Sequence, residues 1–245
     1  MYKILKAFDR VTDIVILVIC LLLILFGAYA LYDNQYVYST ASDRSALMYR
    51  PKTSGEDAGK WDKGELVDDV VAWLRIDDTT IDYPVVQGED NQEYLNKDPF
   101  GEFSLSGSIF LDSRCDPDFS DHYSLVYGHH MARGIMFGAL DDFTDRDFFA
   151  AHRRGELVTD TGRYDVTLFA VMSTLTTDGI VFMDDEDCAQ RIDKHIRENA
   201  DIYEEPEPGN IICLSTCSDS DSMQRLAVFG VLRQTAQIRE GDVET

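Results

Sequence analysis

The sequence predicts a mainly β protein, in which a closed antiparallel barrel of about eight strands follows one membrane-spanning helix. Three observations support this. Apolar runs bounded by turn residues dominate the chain, few helical stretches separate them, and one long uncharged apolar segment lies near the N-terminus. The eight runs cover residues 73–76, 81–86, 107–111, 123–127, 156–159, 164–172, 211–216 and 226–232.

Helical spacing of apolar residues predicts three helical segments around these strands. They cover residues 65–73, 137–152 and 185–203. The first would place Leu66, Val70 and Trp73 on one side of a short amphipathic helix. The turn residues 160–163 predict a hairpin between the two runs that flank them.

The apolar segment, residues 14–32, carries no charge and is long enough to cross a bilayer as a helix. Lys3, Lys6 and Arg10 precede it, so the positive-inside rule predicts a cytoplasmic N-terminus and an extracellular domain. The Ala-Tyr-Ala sequence at 28–30 offers an alternative, because it resembles a signal-peptidase site and would release a secreted protein. The apolar stretch continues through that site, which favours an uncleaved anchor.

Three regions follow from this pattern. Residues 1–33 form a cytoplasmic tail and transmembrane anchor, residues 34–64 a polar stalk or linker, and residues 65–245 the folded domain.

The formal net charge of the 245-residue chain is −23, from 22 basic and 45 acidic residues. Such a surface repels nucleic acid. A solvated acidic face that keeps the domain soluble accounts for this charge, and attraction of cationic partners, such as a substrate that carries an amine, is the alternative.

A cysteine, an arginine and a histidine form the candidate catalytic set. Cys217 ends an apolar run, Arg225 begins the next run, and His129 lies far upstream. A thiol nucleophile needs a basic or cationic neighbour, because the thiolate is the form that attacks carbonyl groups. Taken singly, each residue also fits a structural role. The adjacent pair of His129 and His130 also fits a metal site.

Together these residues resemble the signature of the sortases, membrane-anchored transpeptidases of Gram-positive bacteria. That signature is a Leu-x-Thr-Cys strand end, here Leu214, Thr216 and Cys217, with an Arg on the next strand and a His from an earlier loop. The resemblance extends from about residue 73 to residue 232. Blocks similar to class B sortases in particular lie at 73–76, 81–87, 90–95, 107–112, 127–131 and 136–137.

The resemblance implies a sortase-type eight-stranded barrel, with N-terminal helices and a helix inserted before the cysteine strand. It implies that Cys217 is the nucleophile, His129 the acid and base, and Arg225 the fixed cation, with His130 as the second choice of histidine. It also implies a groove for a sorting signal. The matching positions are Asn91, Leu95, Tyr127, Ser215 and Thr216.

The implied function is that of a cysteine transpeptidase in the cell membrane, with its catalytic domain outside. It would cleave an LPxTG-like or NPxTx-like signal of a surface protein or pilin after the Thr. The acyl group would pass to an amine of peptidoglycan or of a pilin lysine. No metal or organic cofactor is expected, and the five cysteines suggest neither a disulfide framework nor a zinc site. Two alternatives are a secreted cysteine protease that hydrolyses and a non-catalytic surface binding module.

Overall fold

The computed structural model describes residues 2–41, 45–52, 61–185, 187–217 and 223–237. Helix α1, Tyr2–Ala41, forms a unit of its own, and its Arg10–Ser39 part is long and apolar enough to cross a membrane. Between Val11 and Tyr36 its large apolar side chains are exposed, as expected for a helix surrounded by lipid. The helix runs past residue 33, the predicted end of the anchor.

The second unit, from Ala41 onwards, is built from ten strands and several short helices. The strands are β1 Val70–Ile76, β2 Asp82–Val86, β3 Ile109–Leu111, β4 Tyr123–Met131, β5 Ile135–Met136, β6 Arg154–Thr159, β7 Gly162–Leu175, β8 Ile202–Tyr203, β9 Asn210–Cys217 and β10 Gln224–Gln237. The α-helices are α2 Arg146–Ala151 and α3 Cys188–Asn199, and 3-10 helices cover Ser45–Tyr49, Glu93–Leu95, Ala132–Gly134 and Phe137–Thr144.

Eight of the strands form the barrel in the order β10-β9-β4-β3-β2-β1-β6-β7, and pairing of β7 with β10 closes it. Each of the eight predicted runs overlaps one of these strands, so the closed eight-stranded barrel is confirmed. The prediction that it is antiparallel throughout is wrong, because β2–β3 and β4–β9 are parallel pairs. Parallel neighbours require long crossover connections, and the intervening segments of the chain provide them.

The barrel interior holds the main hydrophobic core, and a second cluster lies on the outer side of β1 and β2. Leu66, Val70 and Trp73 are buried together in this second cluster. The predicted helix over residues 65–73 is nevertheless wrong, because β1 begins at Val70 and a turn precedes it. Pairing of β1 with β2 and β6 outweighs a local spacing that suits either a helix or a strand.

The predicted stalk, residues 34–64, is only partly covered, since 42–44 and 53–60 lie outside the described residues. Its first part continues α1 to Ala41. Tyr49 and Trp61 pack against the second cluster, and the Trp61 indole donates a hydrogen bond to the Tyr49 carbonyl at 2.8 Å. These parts of the predicted linker are therefore integrated into the domain.

The other helical predictions are confirmed in outline. Residues 137–152 contain a 3-10 helix followed by α2, with Asp145 between them as the cap that accepts two backbone N–H groups. Helix α3 lies within residues 185–203, immediately before β8 and β9, and it buries Ile192 and Ile196. The hairpin at 160–163 joins β6 to β7.

Phe229 provides a test of barrel closure, because it is fully buried on β10 between Ala170 of β7 and Cys213 of β9. Replacing Phe229 with Ala should lower the free energy of unfolding by about 3–5 kcal/mol. Phe103 is 75% exposed, so the matched change Phe103→Ala should alter it by about 0.5 kcal/mol or less. Denaturant titration of the full chain in detergent micelles, followed by tryptophan fluorescence, measures both. Equal losses for the two variants would contradict this account of the core.

Candidate active site

The predicted catalytic residues lie at the same level of three adjacent strands. In the parallel β4–β9 pair, His129 is level with Cys217. In the antiparallel β9–β10 pair, Ser215 is level with Ala227, and the same register carried two residues further brings Arg225 level with Cys217. Neighbouring strands are about 4.8 Å apart. The backbones of His129, Cys217 and Arg225 therefore lie side by side at one end of the barrel, with Cys217 in the middle.

The His129 ring is half-buried and is held by the backbone of Leu95. Its Nε2 lies 2.8 Å from the Leu95 carbonyl oxygen. A carbonyl can only accept a hydrogen bond, so Nε2 carries a proton in this arrangement. Leu95 thereby fixes the ring orientation of His129.

His130 has different surroundings from His129. Its Nε2 lies 2.7 Å from Asp141 Oδ2, and both side chains are substantially exposed. Successive residues of a strand point to opposite faces, which explains why the two histidines have separate partners. Within the part of the chain that the structure describes, no three His, Cys, Asp or Glu side chains are grouped as ligands for a metal ion.

The position of Arg225 along the barrel is fixed by the pairing of β10 with both β7 and β9. Arg225 is half-buried, lies opposite Thr174 of β7, and donates a hydrogen bond from Nη1 to the Gln224 carbonyl at 3.2 Å. The Leu226 N–H donates to Thr216 Oγ1 at 3.2 Å, which ties β10 to β9 beside the cysteine. Arg225 keeps its charge at any physiological pH, so this arrangement provides a fixed cation.

The five predicted substrate-binding residues divide into two groups. Ser215 and Thr216 are buried, with 0% and 3% of their surface exposed. Asn91, Leu95 and Tyr127 are half-buried and lie on the side of His129. A role in substrate binding stays a prediction for all five.

Sequence reasoning missed Asp112 and Arg114, which organise the second group. Asp112 is fully buried and directly follows the buried strand β3. Its Oδ2 accepts hydrogen bonds from Asn91 Nδ2 at 2.8 Å, Tyr127 Oη at 3.2 Å and Arg114 Nη2 at 2.7 Å. A charged residue at the end of an entirely apolar run was the available sequence feature, since a buried charge requires a partner.

These contacts determine the charge state of Asp112. Burial opposes its ionisation, but hydrogen bonds from Arg114 and Asn91 outweigh burial and lower the pKa of the Asp112 carboxyl. Burial, together with the negative charge of Asp112, raises the pKa of Tyr127. At neutral pH the cluster is therefore an ionised Asp112–Arg114 pair beside a neutral phenol.

Comparison with known protein families identifies the family of this chain. The model of the sortase domain matches residues 74–233, which is more than half of the chain. The chain belongs to the sortase family. Sortases are cysteine transpeptidases that act at the cell surface on proteins with a sorting signal, and this sortase is therefore a cysteine transpeptidase.

Its relatives are class B sortases. Sortase B of Listeria monocytogenes is 31% identical over 215 residues, which cover 82% of this chain and 87% of the relative. Sortase B of Staphylococcus aureus is 33% identical over 168 residues, or 65% and 68% of the two chains. The crystal structure of a Streptococcus pyogenes class B sortase involved in pilus biogenesis is 39% identical, with a TM-score of 0.62 over 69% of this chain and 94% of that one. The resemblance stated from the sequence is confirmed.

Two further cysteines of this sortase have no access to solvent. Cys115 and Cys213 are 5% and 0% exposed. Burial raises the pKa of each thiol to about 12. Because the thiolate is the reactive form, both act as small apolar core residues rather than as second nucleophiles.

Thiol labelling should show that Cys115 and Cys213 react only after the protein is denatured. At pH 8 only about one in 10,000 thiols with a pKa near 12 is ionised, so iodoacetamide should leave Cys115 and Cys213 unmodified in the folded protein. Both should react after denaturation, and the half-buried Cys188 provides an internal reference. Peptide mass spectrometry of the full chain measures all three sites. Modification of Cys213 at equal rates in folded and denatured protein would contradict its placement in the core.

Proposed function

We propose that this sortase is a class B-like enzyme in which Cys217 is the nucleophile, His129 the acid and base, and Arg225 the stabilising cation. The observation that supports this most directly is the common level of the three residues on adjacent strands β4, β9 and β10. The substrate would be a surface protein or pilin with an LPxTG-like or NPxTx-like sorting signal, cleaved after the Thr.

In the first half-reaction, the Cys217 thiolate attacks the carbonyl carbon of the Thr. A C–S bond forms, and the scissile C–N bond breaks as the leaving amine takes a proton from His129. The Arg225 guanidinium stabilises the negative charge that develops on the carbonyl oxygen. The product is a thioacyl enzyme together with the released C-terminal part of the signal.

The second half-reaction transfers the acyl group to an amine of peptidoglycan or of a pilin lysine. The amine attacks the thioester carbon, His129 takes its proton, and the Cys217 thiolate leaves. The net charge of −23 supports an amine acceptor, because a negative surface attracts cations. No metal or organic cofactor takes part in this scheme.

The sorting-signal site, as we define it here, consists of Asn91, Leu95, Tyr127, Ser215 and Thr216. Leu95 and Tyr127 would flank an apolar or proline residue of the signal. Asn91 would contact the peptide backbone, although its amide already bonds Asp112 Oδ2 and the Ser113 N–H at 2.8 Å each. The buried Ser215 would contribute mainly through its backbone.

In the cell, helix α1 would anchor the enzyme in the membrane, with the N-terminus in the cytoplasm and the barrel outside. The Arg10–Ser39 segment supports a single span. Lys3, Lys6 and Arg10 on its N-terminal side support the orientation. This places the catalytic domain where peptidoglycan and exported proteins meet.

Acyl-enzyme formation tests the proposed nucleophile. The full chain, in detergent micelles with a peptide carrying an LPxTG or NPxTx motif, should gain the mass of the acyl fragment at Cys217. Adding an amine such as triglycine should discharge this adduct as a transpeptidation product. Cys217→Ala should form no adduct. Release of the hydrolysed acid alone, with or without amine, would favour the protease alternative, and the absence of any adduct in the parent would favour the binding module.

The same substitution at the neighbouring residues His129 and His130 tests which histidine is the acid and base. His129→Ala should lower kcat/KM for the sorting peptide by about 100-fold to 10,000-fold, the usual range for a general acid or base. His130→Ala removes an exposed hydrogen bond with Asp141 and should change kcat/KM by about twofold at most. Steady-state peptide cleavage measures both. A larger loss for His130→Ala than for His129→Ala would reverse the assignment.

A further inference from the structure

We propose that Asp112 and Arg114 form a positioning pair, which holds in place residues 91–95 of the sorting-signal site and a second segment, residues 182–184. This inference rests on the proposed function, since the pair acts on residues assigned there to peptide binding. Neither side chain is on the strands that carry His129, Cys217 and Arg225. Their influence on the reaction is therefore indirect.

Asp112 holds the first segment, residues 91–95. Its Oδ2 accepts from Asn91 Nδ2 at 2.8 Å, and the Ser113 N–H donates to Asn91 Oδ1 at 2.8 Å, so the amide of Asn91 is fixed at both ends. The same segment ends at Leu95, whose carbonyl orients the His129 ring. The Tyr127 hydroxyl donates to the same Asp112 oxygen at 3.2 Å, two residues before His129 on β4.

Arg114 holds the second segment, residues 182–184, which follows β7. Its Nη2 donates to the Phe182 carbonyl at 2.8 Å, and its Nη1 donates to the Met183 carbonyl at 2.9 Å and to Asp184 Oδ1 at 3.1 Å. The guanidinium simultaneously binds Asp112 through Nε at 2.8 Å and Nη2 at 2.7 Å. One planar group thus links the buried carboxylate to a segment about 70 residues further along the chain.

The two amino-acid types are well suited to this task. A carboxylate can accept several hydrogen bonds, and Asp112 accepts five: one each from the Asn91 and Tyr127 side chains, two from the Arg114 side chain and one from the Arg114 backbone N–H. A guanidinium has five donors in a fixed fork, whereas a lysine ammonium offers three donors at one point. Lysine in place of Arg114 can keep the ion pair with Asp112 but cannot reach both carbonyls of the second segment.

Mutation can therefore separate the contacts of Asp112 with residues 91–95 from the contacts of Arg114 with residues 182–184. Asp112→Asn should release both segments, because the ionic acceptor common to Asn91, Tyr127 and Arg114 is lost. Arg114→Lys should release mainly residues 182–184. The matched control is Glu156→Gln, which removes another partly buried carboxylate–arginine pair, Glu156 with Arg163 at 3.1 Å, on β6 and β7.

Two measurements on the full chain in detergent micelles test the proposal. The first is steady-state cleavage of the LPxTG and NPxTx peptides, analysed separately for kcat and KM, alongside the rate at which iodoacetamide alkylates Cys217. Asp112→Asn should raise KM about 10-fold to 100-fold, and kcat should fall by a smaller factor, because the released segment includes Leu95, whose carbonyl orients His129. Alkylation of Cys217, which needs no peptide, should change by about twofold or less. Arg114→Lys should give a smaller rise in KM, and Glu156→Gln should give none.

The second measurement, amide hydrogen exchange read by mass spectrometry, needs no substrate. Asp112→Asn should accelerate exchange about tenfold in residues 91–95 and 182–184, and Arg114→Lys only in residues 182–184. Unchanged exchange in both segments would overturn the positioning role. So would a loss of kcat at constant KM, or an equal rise in KM for Glu156→Gln. If the parent forms no acyl enzyme, the proposed function fails, while the exchange experiment still decides the role of the pair.

Discussion

The parallel pairing of β4 with β9 is the constraint on which the rest of the structure depends. It aligns seven residue pairs, from Tyr123 with Ile211 to His129 with Cys217. Apolar residues of both strands lie in the barrel core, so a slip of one residue would expose them and turn His129 to the other face. The free energy that fixes the register therefore comes from the core, and the alignment of His129 with Cys217 follows from it.

Barrel closure also fixes the position of Arg225 on β10. β10 pairs with both β9 and β7, and its long pairing with β7 closes the barrel. Arg225 is thereby paired with Thr174 of β7, and extension of the β9–β10 register by two residues brings it level with Cys217. The side chains around the strands then refine the geometry, because the Leu95 carbonyl orients His129 and the Asp112–Arg114 pair holds the loops. Strands fix the positions of the proposed reactive groups, and polar contacts between loops fix their surroundings.

Local patterns were sufficient to locate the eight barrel strands and the Cys217, His129 and Arg225 motif. They were insufficient wherever distant segments decide the outcome. The helix expected over residues 65–73 fails because pairing partners of β1 lie elsewhere in the chain. The parallel pairs escaped prediction for the same reason. Asp112 was visible as a charge after an apolar run, but its role depends on Asn91 and on residues 182–184, which only the folded chain brings to it.

The register of β4 against β9 is the central claim, and nuclear Overhauser effects between backbone protons of the two strands measure it directly. In the full chain in detergent micelles, cross-peaks should connect residues at the same level from Tyr123 and Ile211 up to His129 and Cys217. A set of cross-peaks displaced by one residue, or evidence that β4 and β9 are not neighbours, would contradict the account.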